Sequence, residues 1–387
     1  MQVVMQRRIL IKNGHIVDPA NGISAIGNVY VEGDRIVEAF PEEHAHIIID
    51  AKGKYVFPGL IDFHTHVFYK STEIGINPDT SMLCQGITSV VDAGSFGSSN
   101  VESFIDNVIH KCDTTVQAYL SFCSAGLATM KYHENYSPSC WDLKMMPHYV
   151  KKYKDCLLGL KIRMSKPLLG PEGAEVFRKA VKTAHDFGLH ICVHTTNPSV
   201  PMAEIADLLQ EGDVLAHVFH GTATREGDTI IDADGKVNKS IIAAQKRGVI
   251  MDTASGGAHW NFVVAEPAIA QGFLPNIIST DITVKSVFKD PVFGLPYVMS
   301  KYFIFGLTVE QIVERVTANP AKLMVGEERR GTLSVGSLAD IAVFDIIDKE
   351  VTFSDSAKDT RVGHKLFMPM LTLKEGEIVY RNISFLE

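Results

Sequence analysis

Phe57-Pro-Gly-Leu-Ile-Asp-Phe-His-Thr-His66 is an apolar run that reads as a buried strand with two histidines at its C-terminal end. Alternate side chains of a strand share a face, so His64 and His66 can reach one ion together. Pro58 and Gly59 mark a change of direction, after which Leu60 and Ile61 enter the core and Asp62 precedes the first histidine. A His-x-His pair also arises on solvated strand faces. Its meaning therefore depends on what the rest of the chain brings to the same place.

Downstream of this strand the chain repeats strand, loop and helix. Apolar runs follow at Thr88-Ser-Val-Val-Asp-Ala-Gly94, Thr115-Val-Gln-Ala-Tyr-Leu-Ser-Phe122, Leu157-Leu-Gly-Leu-Lys-Ile-Arg163 and His190-Ile-Cys-Val-His-Thr195. Val214-Leu-Ala-His-Val-Phe219, Val249-Ile-Met-Asp-Thr-Ala254 and Ile277-Ile-Ser-Thr-Asp281 complete about eight. Each is short and apolar enough to be buried on both faces, and helical patterns such as 172–187 and 202–210 lie between them, ended by Gly188 and Gly212. Alternation in this number predicts an α/β chain built on a (β/α)8 TIM barrel over residues 58–325. The two ends differ. Residues 1–57 and 326–387 alternate short β runs with turns such as Asn13-Gly14 and Glu32-Gly33, which predicts one small β-sandwich formed from both termini.

Composition narrows the function classes. The 387 residues are 46% hydrophobic and 21% charged, ordinary globular usage that supports a large core. A formal net charge of -8 argues against nucleic acid and against an anionic membrane surface. No apolar stretch is long enough to span a bilayer, and the N-terminus lacks a signal-peptide core, so the expected location is cytoplasmic and the expected partners are a small-molecule substrate and further copies of the chain in a homo-oligomer. The six cysteines form no Cys-x-x-Cys pair, which favours free thiols.

Lys161, His194, His217 and Asp281 lie toward the C-terminal ends of predicted strands four, five, six and eight, joining His64 and His66 of strand one. In a barrel those ends converge on the mouth where chemistry is done. Each residue alone has an ordinary reading, as a core histidine, a snorkelling lysine or a helix cap. Six at matching positions on different strands point to a site. Four imidazoles and a carboxylate suit two divalent ions of borderline softness such as zinc. A lysine among them must lose its proton, and the free amine can take up carbon dioxide as a carbamate, an anionic bridging group.

With these residues in place the chain resembles the metal-dependent hydrolases of the amidohydrolase superfamily, in the dihydroorotase and cyclic-amidase branch. The resemblance rests on 58–66, Gly159-Leu-Lys161, His194, His217, Ser279-Thr-Asp281, Asn319-Pro-Ala-Lys322 and Gly331-Thr-Leu-Ser-Val-Gly-Ser-Leu-Ala-Asp-Ile341. It implies that His64, His66 and Asp281 hold the more buried metal, His194 and His217 the more exposed one, and carbamylated Lys161 bridges them. It further implies that Asp281 is the general base and passes the proton to the leaving group. Within the superfamily the chain is most similar to bacterial proteins loosely labelled dihydroorotase-like or adenine-deaminase-like and better regarded as deacetylases. Leu215-Ala-His-Val-Phe-His-Gly221 is also similar to the corresponding strand of N-acetylglucosamine-6-phosphate deacetylases, with His220 as an alternative to His217 or a substrate contact.

Substrate contacts are harder to read. Dihydroorotases carry an arginine two residues after the His-x-His pair, whereas Val67, Phe68, Tyr69 and Lys70 follow here. Loss of that clamp argues against dihydroorotate, and the aromatic pair Phe68 and Tyr69 suggests an apolar pocket wall, with core packing as the competing role of Phe68. Arg163 can hold an anionic group or make a structural ion pair. Gly256 and Gly257 suit a loop over the mouth or, equally, an ordinary βα turn capped by Ser255, with His259 and Trp260 opening the next helix, and 123–141 suits a pocket wall or lid. The expected reaction is hydrolysis of a small acyl amide or ester, for instance an acetylated carboxylic acid. Cyclic amidase and deaminase chemistry are the alternatives; the His-Ala-Glu motif of adenosine-type deaminases is absent. A catalytically dead scaffold would be expected to lose ligand positions, and here all are filled.

Overall fold

The computed structural model describes residues 7–132, 134–221 and 228–386. Strands from both ends of the chain hydrogen-bond into one eight-stranded sheet. From the N-terminal end come β1 (Arg8–Asp18), β2 (Ile23–Glu32), β3 (Arg35–Ile36), β4 (Ile47–Asp50) and β5 (Tyr55–Pro58). A second, seven-stranded sheet follows in chain order: β6 (Leu60–Thr65), β7 (Ile87–Asp92), β8 (Thr115–Ser121), β9 (Leu157–Arg163), β10 (His190–His194), β11 (Val214–Ala216) and β12 (Ile250–Asp252). The chain then returns to the first sheet with β13 (Ile341–Ser354), β14 (Thr360–Lys374) and β15 (Glu377–Arg381). β13 lies antiparallel to β5, so the two ends are joined through Ile341 opposite Pro58.

Every neighbouring pair in the second sheet is parallel, from β6 against β7 to β11 against β12. The sheet is curled, as a TIM barrel requires. The eighth predicted strand is not a regular strand. Its residues 277–282 instead make single parallel bridges at both edges, Asp252 to Ile277 and Thr65 to Ile282. Two buried anchors hold that segment: Asp281 N donates to His64 O at 2.7 Å, and Asp62 accepts from Thr280 N at 3.0 Å and from Thr280 Oγ1 at 2.5 Å. Such side-chain bonds compete with a regular ladder, which explains the irregular backbone.

Phe63, Val91, Tyr119, Leu158, Cys192, Val214 and Ala216, from six strands of the second sheet, pack into one interior cluster. The interior is thus filled with side chains rather than open. A larger apolar layer surrounds it, and the terminal sheet keeps its own cluster around Ile9, Ile11, Val31, Ile341 and Leu371. Gly159 permits the tight approach of β9 to β10: at its φ of 156° an added Cβ would stand 2.1 Å from His190 O. The expected helices are present at Gly173–Asp186 and Met202–Leu208. All six cysteines are free thiols, and among the described residues no helix is long and apolar enough to cross a membrane.

One buried cation ties the sheets together beside the mouth. Lys301 ends the helix Leu295–Lys301, is 2% exposed, and donates to Pro291 O at 3.0 Å and to Ser354 O at 3.2 Å while lying 4.7 Å over the Trp260 ring. Burial lowers its pKa to about 8, against the pull of Asp290 and Asp355. Because the unfolded chain then binds this proton more tightly than the folded one, the Lys301 contribution to stability grows as pH rises from about 8 toward 10.5. In denaturant titrations, Lys301→Met is therefore expected to lose ground to the natural chain over that pH range. A difference that is constant with pH would show that Lys301 keeps its ordinary pKa, and its charge, in the folded chain.

Candidate metal centre

The C-terminal ends of the parallel strands bring the predicted ligands together. His64 ends up on β6 with its Nε2 3.2 Å from Lys161 Nζ of β9 and 3.9 Å from Asp281 Oδ1. His66 Nε2 is 3.1 Å from the same Asp281 oxygen. The rings of His194 and His217 stand 4.2 Å apart, and those of His64 and His217 5.0 Å apart. All six are buried. Parallel register explains part of this: Cys192 pairs with Lys161 and His194 with Arg163, so adjacent strands present these side chains at the same level.

Two groups of donors result. His64, His66 and Asp281 form one; His194, His217 and His259 form the other, with the ligand atoms of each group within 4.8 Å of one another. Most of the imidazoles are fixed through Nδ1, which leaves Nε2 for the centre. His64 Nδ1 meets Asp252 Oδ2 at 3.0 Å, His66 Nδ1 meets Ser95 Oγ at 2.8 Å, and His217 Nδ1 donates to Ala254 O at 2.8 Å. His217 Nε2 is buried with no hydrogen-bond partner among the described residues. A buried, unpaired imidazole nitrogen is costly in a dry site but is what a metal ligand presents. Burial first, and neighbouring cationic groups second, hold His64, His194 and His217 well below the ordinary histidine range, so they are neutral and able to coordinate. The donor set fits divalent cations.

Backbone strain marks the same place. His217 (φ 64°), Ala254 (φ 38°) and Asp281 (φ 50°) occupy the left-handed region that non-glycine residues avoid, at a cost on the order of 1–3 kcal/mol each. Asp252, which orients His64, also accepts a hydrogen bond from Ser279 Oγ, and burial raises its carboxyl to about 7.

A cavity of about 340 Å³ opens over the two groups. Arg163 lines it and is paired through Nη1 with the buried Glu134, the structural ion pair that was one of the two roles considered for this arginine. Gly257 lines it too, and Gly256, at φ 48°, lets the loop descend: an added Cβ would sit 2.5 Å from the His259 ring and 2.7 Å from Asp281 Oδ2. Leu127 and Met130 bring 123–141 to the wall, residue 133 of that segment lying outside the described residues.

Three expectations need correction. Phe68 does not line the cavity; it is 1% exposed and packs edge-on against Phe96 and Phe104, which is the core role. His220 is fully buried, is not among the cavity-lining residues, and belongs to neither donor group, so it does not replace His217. His259 and Trp260 do not begin a helix, because the helix starts at Phe262 and Gly221 N takes the side-chain oxygen of its N-cap residue Asn261. Sequence reasoning passed over His259, Asp252 and Ser95 as parts of the centre. The signal available for His259 was its position in the glycine-rich loop just after predicted strand seven.

Comparison with known proteins agrees with this geometry. The amidohydrolase family model matches residues 55–379. A deacetylase of Agrobacterium fabrum is 32% identical over 86% of this chain and 80% of its own length. Among solved structures, an adenine deaminase superposes with a TM-score of 0.87 at 29% identity, covering 97% of this chain and 100% of the other. A dihydroorotase superposes with a TM-score of 0.86 at 30% identity, covering 97% and 98%. With a family match over most of its length and the expected donors gathered at one mouth, this chain belongs to the amidohydrolase family and is a hydrolase.

Proposed function

We propose that this chain is a binuclear metal-dependent deacetylase, hydrolysing the amide or ester bond of a small acetylated carboxylic acid. The carrying observation is the pair of three-donor groups beneath one cavity, with Arg163 in its wall. The reading takes 58–325 as a (β/α)8 barrel whose eighth position is filled by 277–282, and 1–57 with 326–387 as the β-sandwich. Zinc suits the mixture of imidazole and carboxylate donors. Lys161 is 3% exposed and in contact with His64 Nε2 and Cys192 Sγ, which supports assigning it to the space shared by the two groups. Its free amine would add carbon dioxide with loss of a proton, giving the bridging carbamate.

Bound divalent cations supply Lewis acidity and a water that ionises near neutral pH. Asp281 faces the cavity with Oδ1 toward His66 and Oδ2 3.5 Å from His259 Nε2, where it can take a proton from the attacking water and return it to the departing amine or alkoxide. Arg163 keeps donors beyond the one that Glu134 occupies, and these would bind the acid group of the substrate. Ile74, Leu127 and Met130 provide the apolar side of the cavity. The deacetylase name of the Agrobacterium fabrum relative supports acyl hydrolysis, while the departure after His66 counts against dihydroorotate.

A panel of acetylated amino and hydroxy acids, dihydroorotate, hydantoins and adenine, assayed with the zinc-loaded chain, tests the reading. Turnover is expected with acetylated acids. Turnover confined to dihydroorotate or adenine overturns it.

A further inference from the structure

His259 stands out as a histidine of the centre that strand position alone does not explain. We propose that His259 is a direct ligand of the second cation, completing a three-imidazole site with His194 and His217. This rests on the two-cation reading above.

The geometry gives three separate reasons. The His259 ring lies 4.4 Å from that of His217 and 5.0 Å from that of His194, and the three ligand atoms fall within 4.8 Å of each other. Its Nδ1 is taken by Thr196 Oγ1 at 2.8 Å, two residues beyond His194, so the loop that carries one ligand orients the next. This is the same arrangement seen at His64, His66 and His217, where Nδ1 is held by the protein and Nε2 is left for the centre. Finally, the other polar contact of Nε2, with Asp281 Oδ2, is 3.5 Å, too long for a charge-assisted hydrogen bond and so not what fixes the ring. Gly256 is the residue whose missing Cβ lets the ring come this close.

Each cation then has three protein donors of its own, and Lys161 is shared between them rather than required to complete the second site. His194 and His217 alone would leave that cation with two.

Metal content and affinity test this without relying on turnover. The full chain, its His259→Gln and His259→Ala variants and Thr196→Val are loaded with zinc, dialysed and analysed for metal by mass spectrometry. Zinc affinity is measured against a competing chelator, and the cobalt-substituted forms are compared by visible absorption. The natural chain is expected to hold about two ions. Both His259 variants should retain about one, with the second bound more than about 100-fold more weakly and a changed cobalt spectrum, while Thr196→Val loses roughly 10- to 100-fold in that affinity. Two ions of unchanged affinity and an unchanged cobalt spectrum in His259→Gln would overturn the proposal and leave the two-cation reading intact. Fewer than two ions in the natural chain would overturn the two-cation reading itself. If the His259 variants do not fold, unchanged second-site affinity in Thr196→Val overturns the proposal.

Discussion

Asp281→Asn is expected to keep the fold and lose on the order of 10²- to 10⁴-fold in kcat, the range that a positioned acid–base group contributes. The substitution keeps the shape of the side chain. It also leaves the Asp281 N bond to His64 O and the Thr280 clamp on Asp62 untouched, since these involve the backbone or a neighbour. What it removes is the carboxylate that faces His66, His259 and the cavity at once. Steady-state kinetics with an acetylated acid, alongside thermal unfolding to confirm the fold, measure the effect. An Asn variant within tenfold of the natural enzyme would move the general base to another residue; His220 is a poor replacement, because it is sealed from the cavity.

Lys161→Ala should bring the second large loss. Lys161 reaches the centre from β9, with its Nζ 3.2 Å from His64 Nε2 and 3.4 Å from Cys192 Sγ. In the two-cation reading, truncation takes away the group shared by both ions. In that reading each ion would keep three other donors but lose the shared anion, so metal affinity should fall at both sites, by more than the roughly 10- to 100-fold typical of an outer partner, and turnover should fall with it. Short carboxylic acids are expected to restore part of the activity by supplying the missing anion in the space the side chain vacates. Unchanged metal content and full activity in Lys161→Ala would remove the bridge from the mechanism.

The buried network around these residues explains why single changes should be so costly. His64 is oriented by Asp252, which is held by Ser279, and the segment carrying Ser279 and Asp281 is tied to β6 through Asp62. Strand one and the eighth segment are therefore parts of one polar unit, in which loss of one member leaves buried partners unsatisfied.

Much of the metal centre was legible in the sequence, and for a definite reason. A ligand at the end of a barrel strand is placed by strand periodicity and by the parallel register of its neighbours, both of which are local properties of apolar runs. Hence His64, His66, Lys161, His194, His217 and Asp281 could be collected by position, and the structure brings all six to one mouth. The mixing of β-rich ends with an alternating middle was legible in the same way. Loops carry no such period. The sequence could not say that the 253–259 loop folds back to set His259 beside His194 and His217, nor that Phe68 turns into a core of Phe96 and Phe104 rather than toward the substrate. It also could not show that the terminal hairpin reaches the site. The turn after β13 places Lys358 in the cavity wall, and Ser354 O receives Lys301, so a segment about 290 residues after the first histidine helps to shape the mouth. Those placements depend on hydrogen bonds and packing between residues far apart in the chain, and only the tertiary structure decides them.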